Sequence, residues 1–351
     1  MKQRMLTTER MNHSASLALQ WLGQCLAVNN GAGAAAYRHL WRGWAAPYPE
    51  TTGYLIETLF DYYHSRQDSR LKQYAISCAD WLVQIQHADG AFPGGVGVRG
   101  APVVFDTGQI LFGLTRTFAE TGDPKYLQAV EKAVGWLVIL WQTDGSWKQF
   151  SYVTNYEPSY YARVVWAVLY ANQYLRSAVV NQVMQTALQH YATNITPLGT
   201  VRNWGFNPDE PAFTHTIAYA FQGFLEAALL LEDADMVLVA REMADRLLQN
   251  RRISGHLAGT YDENWKGNHR FICLTGNAQC SALFSRLFEI TGEARYREEA
   301  LWLLNSVLKK QCRDGALAGS SPIWGAYLPF RYPNWSLKFL LDAIALASRS
   351  L

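Results

Sequence analysis

The chain has 351 residues, of which 49% are hydrophobic and 17% charged, and its net charge is +2. It is long enough to bury a large core, and so balanced a charge excludes nucleic acid and an anionic membrane as evident partners. Its five cysteines and eight histidines show no Cys-x-x-Cys and no zinc-finger spacing, so no metal or other cofactor is expected. The thiols read as free, in a reducing, cytoplasmic setting. Residues 1–12 are polar, hold no apolar run of signal-peptide length, and are expected to be flexible. The most apolar runs, 134–141 and 227–231, fall well short of the roughly 20 residues of a membrane span, so no membrane insertion is expected. Aromatic content stands out, with 13 Trp, 19 Tyr and 15 Phe.

In chain order, apolar spacing of three and four residues predicts a first helix over 14–28, capped by Ser14. After a Gly/Ala-rich loop, 52–64 and 71–86 form a helical hairpin that ends at Asp89-Gly90. The second hairpin covers 108–120 and 126–142, with Thr121-Gly122-Asp123-Pro124 between and Asp144-Gly145 after. The third covers 162–174 and 178–191, and the fourth 217–231 and 236–250, ending near Ser254-Gly255. The fifth covers 278–291 and 296–311 and closes at Asp314-Gly315. Glycine past the last turn gives a left-handed stop, and proline suits a first turn. A last helix over 336–348 has no partner after it, as the first has none before it. No strand-like alternation and no linker interrupts the series, so 1–351 is expected to be one domain.

Six of these helices open on a polar signature. They are Tyr48-Pro49-Glu50-Thr51-Thr52-Gly53-Tyr54, Phe105-Asp106-Thr107-Gly108-Gln109, Tyr160-Tyr161-Ala162-Arg163, Thr214-His215-Thr216-Ile217-Ala218-Tyr219, Leu274-Thr275-Gly276-Asn277-Ala278-Gln279 and Pro333-Asn334-Trp335-Ser336. Successive copies lie about 55 to 60 residues apart, longer than most solenoid repeats. The expected fold is therefore all-α, a closed (α/α)6 toroid of six helical hairpins whose N-terminal helix pairs with the last inner helix. An open solenoid, with shorter units and a concave groove, is the competing architecture. Closure would bring all six signatures to one mouth of the ring.

Gln86-x-x-Asp89-Gly90 and Gln142-x-Asp144-Gly145-Ser146-Trp147 resemble the six-hairpin glycosidase superfamily and the α/α-toroid of terpenoid cyclases. The run from Pro47 to Tyr54 is similar, more closely, to toroids encoded in bacterial exopolysaccharide biosynthesis operons. So are Phe105-Asp106-Thr107-Gly108-Gln109, Cys273-Leu274-Thr275-Gly276-Asn277-Ala278-Gln279 and Gly319-Ser320-Ser321-Pro322-Ile323-Trp324-Gly325. That resemblance implies the fold and a link to polysaccharide, and no particular reaction. The Asp-x-Asp-Asp run of squalene-type cyclases is missing. Glu232-Asp233-Ala234-Asp235 reads as a helix cap, and Cys273 and Cys280 have no histidine at zinc-ligand spacing. Gly94-Gly95-Val96-Gly97 lacks the strand and the GK[ST] ending of a phosphate loop and reads as a flexible rim. Asp262-Glu263 alone is a weak metal pair.

Helix N-termini present unpaired N–H groups, which suits carboxylates and developing oxyanions. Glu50 and Asp106 occupy corresponding places in adjacent hairpins, where they can act as acid and base around a glycosidic bond or simply cap their helices. His215 is the histidine at an inner-helix opening and the leading general base, with a hydrogen-bonded wall residue as the competing role. Tyr161 can take or give a proton, and Arg163 can clamp a uronate carboxylate in a forked pair. Sugars stack their C–H faces on aromatic rings and bind hydroxyls through polar side chains. The expected binding set is Tyr54, Gln109, Trp147, Tyr219, Asp262, Trp265, Asn277, Trp324, Arg331, Asn334 and Trp335, each of which can also serve packing.

Three readings remain open at this level. The favoured one is a glycoside hydrolase-like enzyme acting on an oligosaccharide or glycan precursor, with Asp106 and Glu50 as its carboxyl pair. A uronate epimerase or lyase would use Tyr161 or His215 as base and Arg163 to neutralise the enolate. The third is a non-catalytic glycan-binding or scaffold subunit working beside polysaccharide assembly proteins.

Overall fold

The computed structural model describes residues 6–349. Residues 1–5 of the segment expected to be flexible lie outside the described residues. Its later part is ordered: α1 runs Thr8–Ala27, and the Thr7 hydroxyl accepts from the Arg10 amide at 3.3 Å as its cap. Ser14, expected to cap this helix, instead donates to Gln311 Oε1 at 2.5 Å and ties α1 to the fifth hairpin. The other helices are α2 Pro49–Arg66, α3 Ser69–Ile85, α4 Val104–Thr121, α5 Pro124–Leu140, α6 Ala162–Leu175, α7 Ala178–Ala192, α8 Thr214–Leu230, α9 Ala234–Ser254, α10 Leu274–Thr291, α11 Ala294–Leu308 and α12 Asn334–Arg349.

The fold is the closed (α/α)6 toroid. The even-numbered helices line the inside, each packed on the next, and α12 packs back on α2. α1 takes the sixth outer position, against α12. Closure is also polar: Thr58 Oγ1 donates to Asp342 at 2.7 Å, and Asn334 Nδ2 donates to Ala35 O at 2.9 Å. The inner helices are buried on nearly every face, as helices at the centre of a core must be. No helix among the described residues is long and apolar enough to cross a membrane.

The outer helices other than α11 start differently from the inner ones, and the difference serves the site. Asp68, Asp123, Ser177 and Asp233 cap α3, α5, α7 and α9 through their side chains. Asp233 belongs to the acidic run read as a cap, and it accepts from the Met236 amide at 2.9 Å. α2, α4, α6, α8 and α10 have no side-chain cap. Their first-turn N–H groups and positive dipole ends therefore face the shared mouth. α6 begins at Ala162 as expected, while α2, α4, α8, α10 and α12 begin earlier than the apolar pattern indicates, at Pro49, Val104, Thr214, Leu274 and Asn334. Most signatures thus lie inside the first two turns, where their polar residues obscure the 3.6-residue period, and the third straddles a short 3-10 turn and the start of α6.

The Gln-x-x-Asp-Gly motif is a joint between hairpins. Asp89 and Asp314 each accept from the amide two residues on, at 3.1 and 3.2 Å. Gly90 at φ +101° and Gly315 at φ +90° press on the neighbouring outer helix, where a Cβ would come within 2.2 Å of Lys132 O and 2.1 Å of Leu17 O. Only glycine meets both demands.

Contrary to the expectation of no strands, eight strands of two or three residues among the described residues bind the linkers together. β1 (Tyr37–His39) lies between β2 (Gly43–Trp44) and β8 (Arg331–Pro333), joining the first linker to the last. β3 (Ala212–Phe213), β4 (Thr260–Tyr261) and β5 (Gly267–Asn268) form a second sheet, and β6 (Ile272–Cys273) pairs with β7 (Ser320–Ser321). Elements this short carry no readable alternation.

Candidate active site

At the mouth formed by the inner-helix N-termini lies a cavity of about 270 Å³, just below the usual range for small-molecule sites. Glu50, Tyr54, His215, Tyr219 and Trp335 of the expected set line it. The linkers add Tyr48, Tyr152, Phe206, Asn207 and Tyr327, which no repeat pattern singled out as site residues. Tyr48 at least belongs to a signature visible in the sequence. Tyr152, Phe206 and Asn207 sit in linkers without periodicity, so only the fold locates them. The wall is mostly aromatic: Trp335 meets Tyr48 edge-on at 6.0 Å, and its Nε1 donates to Tyr327 OH at 2.8 Å.

The two carboxyls hold different positions. Glu50, the second residue of α2, faces the cavity and is 6% exposed. Burial pushes its pKa well above the carboxylate range, and the nearby Asp106 charge adds to this, while Tyr48, Arg163 and Tyr219 pull the other way. Asp106, the third residue of α4, is fully buried and stands behind the wall. Its Oδ2 accepts from Tyr152 OH at 2.6 Å and from the Gly95 amide at 2.9 Å, so it holds the 94–97 rim rather than capping α4. Burial raises its pKa to about 6, against those hydrogen bonds. Its Oδ1 has no partner among the described residues. Tyr48 OH lies 2.9 Å from Tyr152 OH, which completes a hydroxyl chain from the cavity wall to Asp106.

A carboxyl whose folded pKa exceeds its unfolded value holds its proton more tightly in the folded chain. Stability attributable to Asp106 is therefore lost as pH rises from 3.8 to about 6, and is level above that. We expect Asp106→Asn, which keeps an acceptor for Tyr152 and Gly95, to raise stability at neutral pH by roughly 1–3 kcal/mol and to leave it unchanged at pH 3. Urea denaturation of both proteins across this range reads the difference. A variant less stable than wild type at neutral pH would contradict it.

His215 Nδ1 lies 2.5 Å from Gln279 Oε1 and donates to it, which leaves Nε2 as an acceptor. Burial lowers its pKa to about 3, and the Arg163 charge acts in the same sense. It is a neutral hydrogen-bonding group at ordinary pH, and so weak a base suits general-base work poorly. Tyr48, Tyr54, Tyr160, Tyr219 and Tyr327 all have pKa values raised by burial, so each presents a neutral hydroxyl.

Several expected site residues lie elsewhere. Tyr161 packs in the wall, stacked on Phe105 at 6.1 Å, and burial raises its pKa, which removes it as a base. Arg163 lies beyond the cavity floor, and Gln109 is its hydrogen-bond acceptor. Trp147 is fully buried, with Nε1 donating to Leu137 O at 2.8 Å. Trp265 donates to Leu198 O at 2.9 Å, and Asp262 accepts the Asn264 and Lys266 amides of its own turn. Asn277 donates to Cys273 O at 2.8 Å. Arg331 lies over the Tyr37 ring, and Asn334 links α12 to Ala35 and Thr51. Trp324 is 67% exposed and does not line the cavity. Local pattern shows that these side chains are polar or aromatic, but the rotation of each linker decides where they point. No group of three or more His, Cys, Asp or Glu among the described residues could hold a metal ion.

No protein-family model matches the sequence, and no curated protein matches it. Solved structures match its fold. An unsaturated glucuronyl hydrolase specific for heparin has a TM-score of 0.79 at 13% sequence identity, over 98% of each chain. The unsaturated glucuronyl hydrolase of Bacillus sp. GL1, responsible for the degradation of glycosaminoglycan, gives 0.74 at 11% over 96% of each. A cellobiose 2-epimerase from Spirochaeta thermophila gives 0.69 at 14%, over 97% of this chain and 98% of its own. At such identities the likeness is one of fold alone, and the shared fold is the (α/α)6 toroid.

Proposed function

We propose that the protein is a carbohydrate-active enzyme that hydrolyses a glycosidic bond to a terminal, neutral sugar held in the aromatic cavity. The observation that carries this reading is the unequal carboxyl pair: Glu50 faces the cavity with a strongly raised pKa, and Asp106 lies behind it near 6. Strongly shifted carboxyls in a cleft favour catalysis over passive binding. Glu50 serves as the acid that protonates the leaving-group oxygen. Water attacks the sugar carbon as its proton passes to Tyr152, whose own proton moves to Asp106. Both transfers conserve charge, and acid and base exchange protonation over the turnover.

Among the described residues, no Arg or Lys lines this cavity. A uronate would enter without a cationic partner, which disfavours the epimerase and lyase reading built on Arg163. Proton abstraction next to a carbonyl is the rival chemistry; it fits the fold shared with a cellobiose 2-epimerase, and the low pKa of His215, whose Nε2 would be the base, counts against it. The cytoplasmic setting and the link to exopolysaccharide biosynthesis belong to the same proposal.

The deciding experiment incubates the protein with neutral and acidic oligosaccharides in water enriched in heavy oxygen and deuterium, with products read by mass spectrometry. Heavy oxygen at a new reducing end of a neutral sugar is the expected result. Deuterium uptake without cleavage would replace hydrolysis by epimerisation at His215, and preference for a uronate would overturn the neutral-sugar assignment.

A further inference from the structure

The opposite side of the ring holds a second cavity of about 270 Å³, between the C-terminal halves of α2, α8, α10 and α12 and the N-terminal half of α6. Arg163 lines its inner end and is 2% exposed. Its Nε donates to Gln109 Oε1 at 2.7 Å and its Nη1 to Gln222 Oε1 at 3.1 Å. Among the described residues its Nη2 makes no hydrogen bond, and no carboxylate forms an ion pair with the guanidinium.

The surrounding charges are already matched. Asp61 pairs with Arg116 at 2.9 Å, Glu226 with Arg286 at 2.9 Å, and Asp342 with Lys338. Glu289 pairs with Arg286 at 3.3 Å and with Arg349 at 3.6 Å. Two lining groups stand outside this network, Arg163 and Glu57, and burial moves Glu57 up to about 7. A buried guanidinium hydrogen-bonded only to neutral amides is costly, because the Glu57 and Asp342 carboxyls attract it from a distance without touching it. Rings of Trp166 and Tyr219, at 4.8 and 4.9 Å, recover part of that cost. A planar fork with a free Nη2 is also the geometry that receives a carboxylate or phosphate in two parallel hydrogen bonds.

We propose that this far cavity binds a small hydroxylated anion, a carboxylate or a phosphate monoester, seated on Arg163 beside Gln222 with its hydroxyls toward Glu57. The site lies across the floor of Tyr219 and Phe339 from the aromatic cavity and stands whether or not that cavity is hydrolytic.

The test uses inorganic phosphate and acetate as probes, titrated at constant ionic strength against chloride, with melting temperature and heat of binding as readouts. Wild type should show a saturable rise of at least about 2 °C with one probe or both. Phosphate alone would name a phosphate monoester, and acetate alone a carboxylate. Gln222→Glu places a carboxylate on Nη1 and should weaken binding at least tenfold. No response in wild type, or an undiminished response in Gln222→Glu, would overturn the site. Should that variant fold poorly, crystals of wild type soaked in bromide decide the matter: an anomalous peak against Arg163 supports the site, and its absence there rejects it.

Discussion

Glu50→Gln should lower kcat on a cleaved oligosaccharide by about 10²- to 10⁴-fold while KM changes little, because the variant keeps the shape of the side chain and loses only the acidic proton. Glu50 is buried beside the Tyr48 and Tyr219 hydroxyls, and glutamine can accept from both. The pH profile gives a sharper reading. Activity of the wild type should rise through about 6 as Asp106 ionises, and fall at higher pH as Glu50 loses its proton. The alkaline limb should vanish in Glu50→Gln, and the acid limb in Asp106→Asn. Because the carboxyls are close enough to influence each other, the two limbs belong to the pair. A loss smaller than threefold in Glu50→Gln would make Glu50 a wall residue and remove the basis of the hydrolytic reading.

The second large effect concerns the ring itself. A Cβ on Gly113 would lie 2.1 Å from Gly53 O and 2.8 Å from Ile56 Cδ1, so α2 and α4 touch backbone to backbone at this point. On the other side of the contact, a Cβ on Gly53 would lie 2.6 Å from Ile110 Cα. Backbone cannot yield as a side-chain tip can, so Gly113→Ala must separate the two helices. The expected cost is about 2–4 kcal/mol, larger than the roughly 1 kcal/mol that alanine gains over glycine in a helix. Gly135→Ala on α5 is the control, since nothing lies within 4 Å of its Cβ position. It should stabilise by up to about 1 kcal/mol. Chemical denaturation measures both, and a neutral Gly113→Ala would show that the inner ring is looser than its contacts indicate. Since α2 carries Glu50 and α4 carries Asp106, any folded Gly113→Ala should also lose activity.

The repeats were legible because their signals are local. Apolar spacing, glycine stops and acidic caps each act within one or two turns, and six copies of a polar opening reinforce one another. The unpaired first and last helices then sufficed to indicate a ring, and α1 does pack on α12. Exact helix starts were less legible, since Pro49 and Val104 begin helices among residues that do not follow the apolar period.

The site divides along the same line. Glu50, Tyr54, His215 and Tyr219 occupy the first two turns of inner helices, and in a closed ring the opening turns have one direction to face. Asp106 and Arg163 hold comparable positions, yet one stands behind Tyr152 and the other belongs to the cavity on the opposite side. Trp147, Trp265 and Trp324 share a composition expected of sugar contacts and occupy core, linker and solvent respectively. By itself, then, the sequence determined the hairpins, their number, the ring and the mouth at which chemistry is expected. The tertiary structure alone decided which polar groups reach the cavity and in what protonation state. Those outcomes depend on linkers from different hairpins closing over one another and on the loss of water that follows, and neither is written in local spacing.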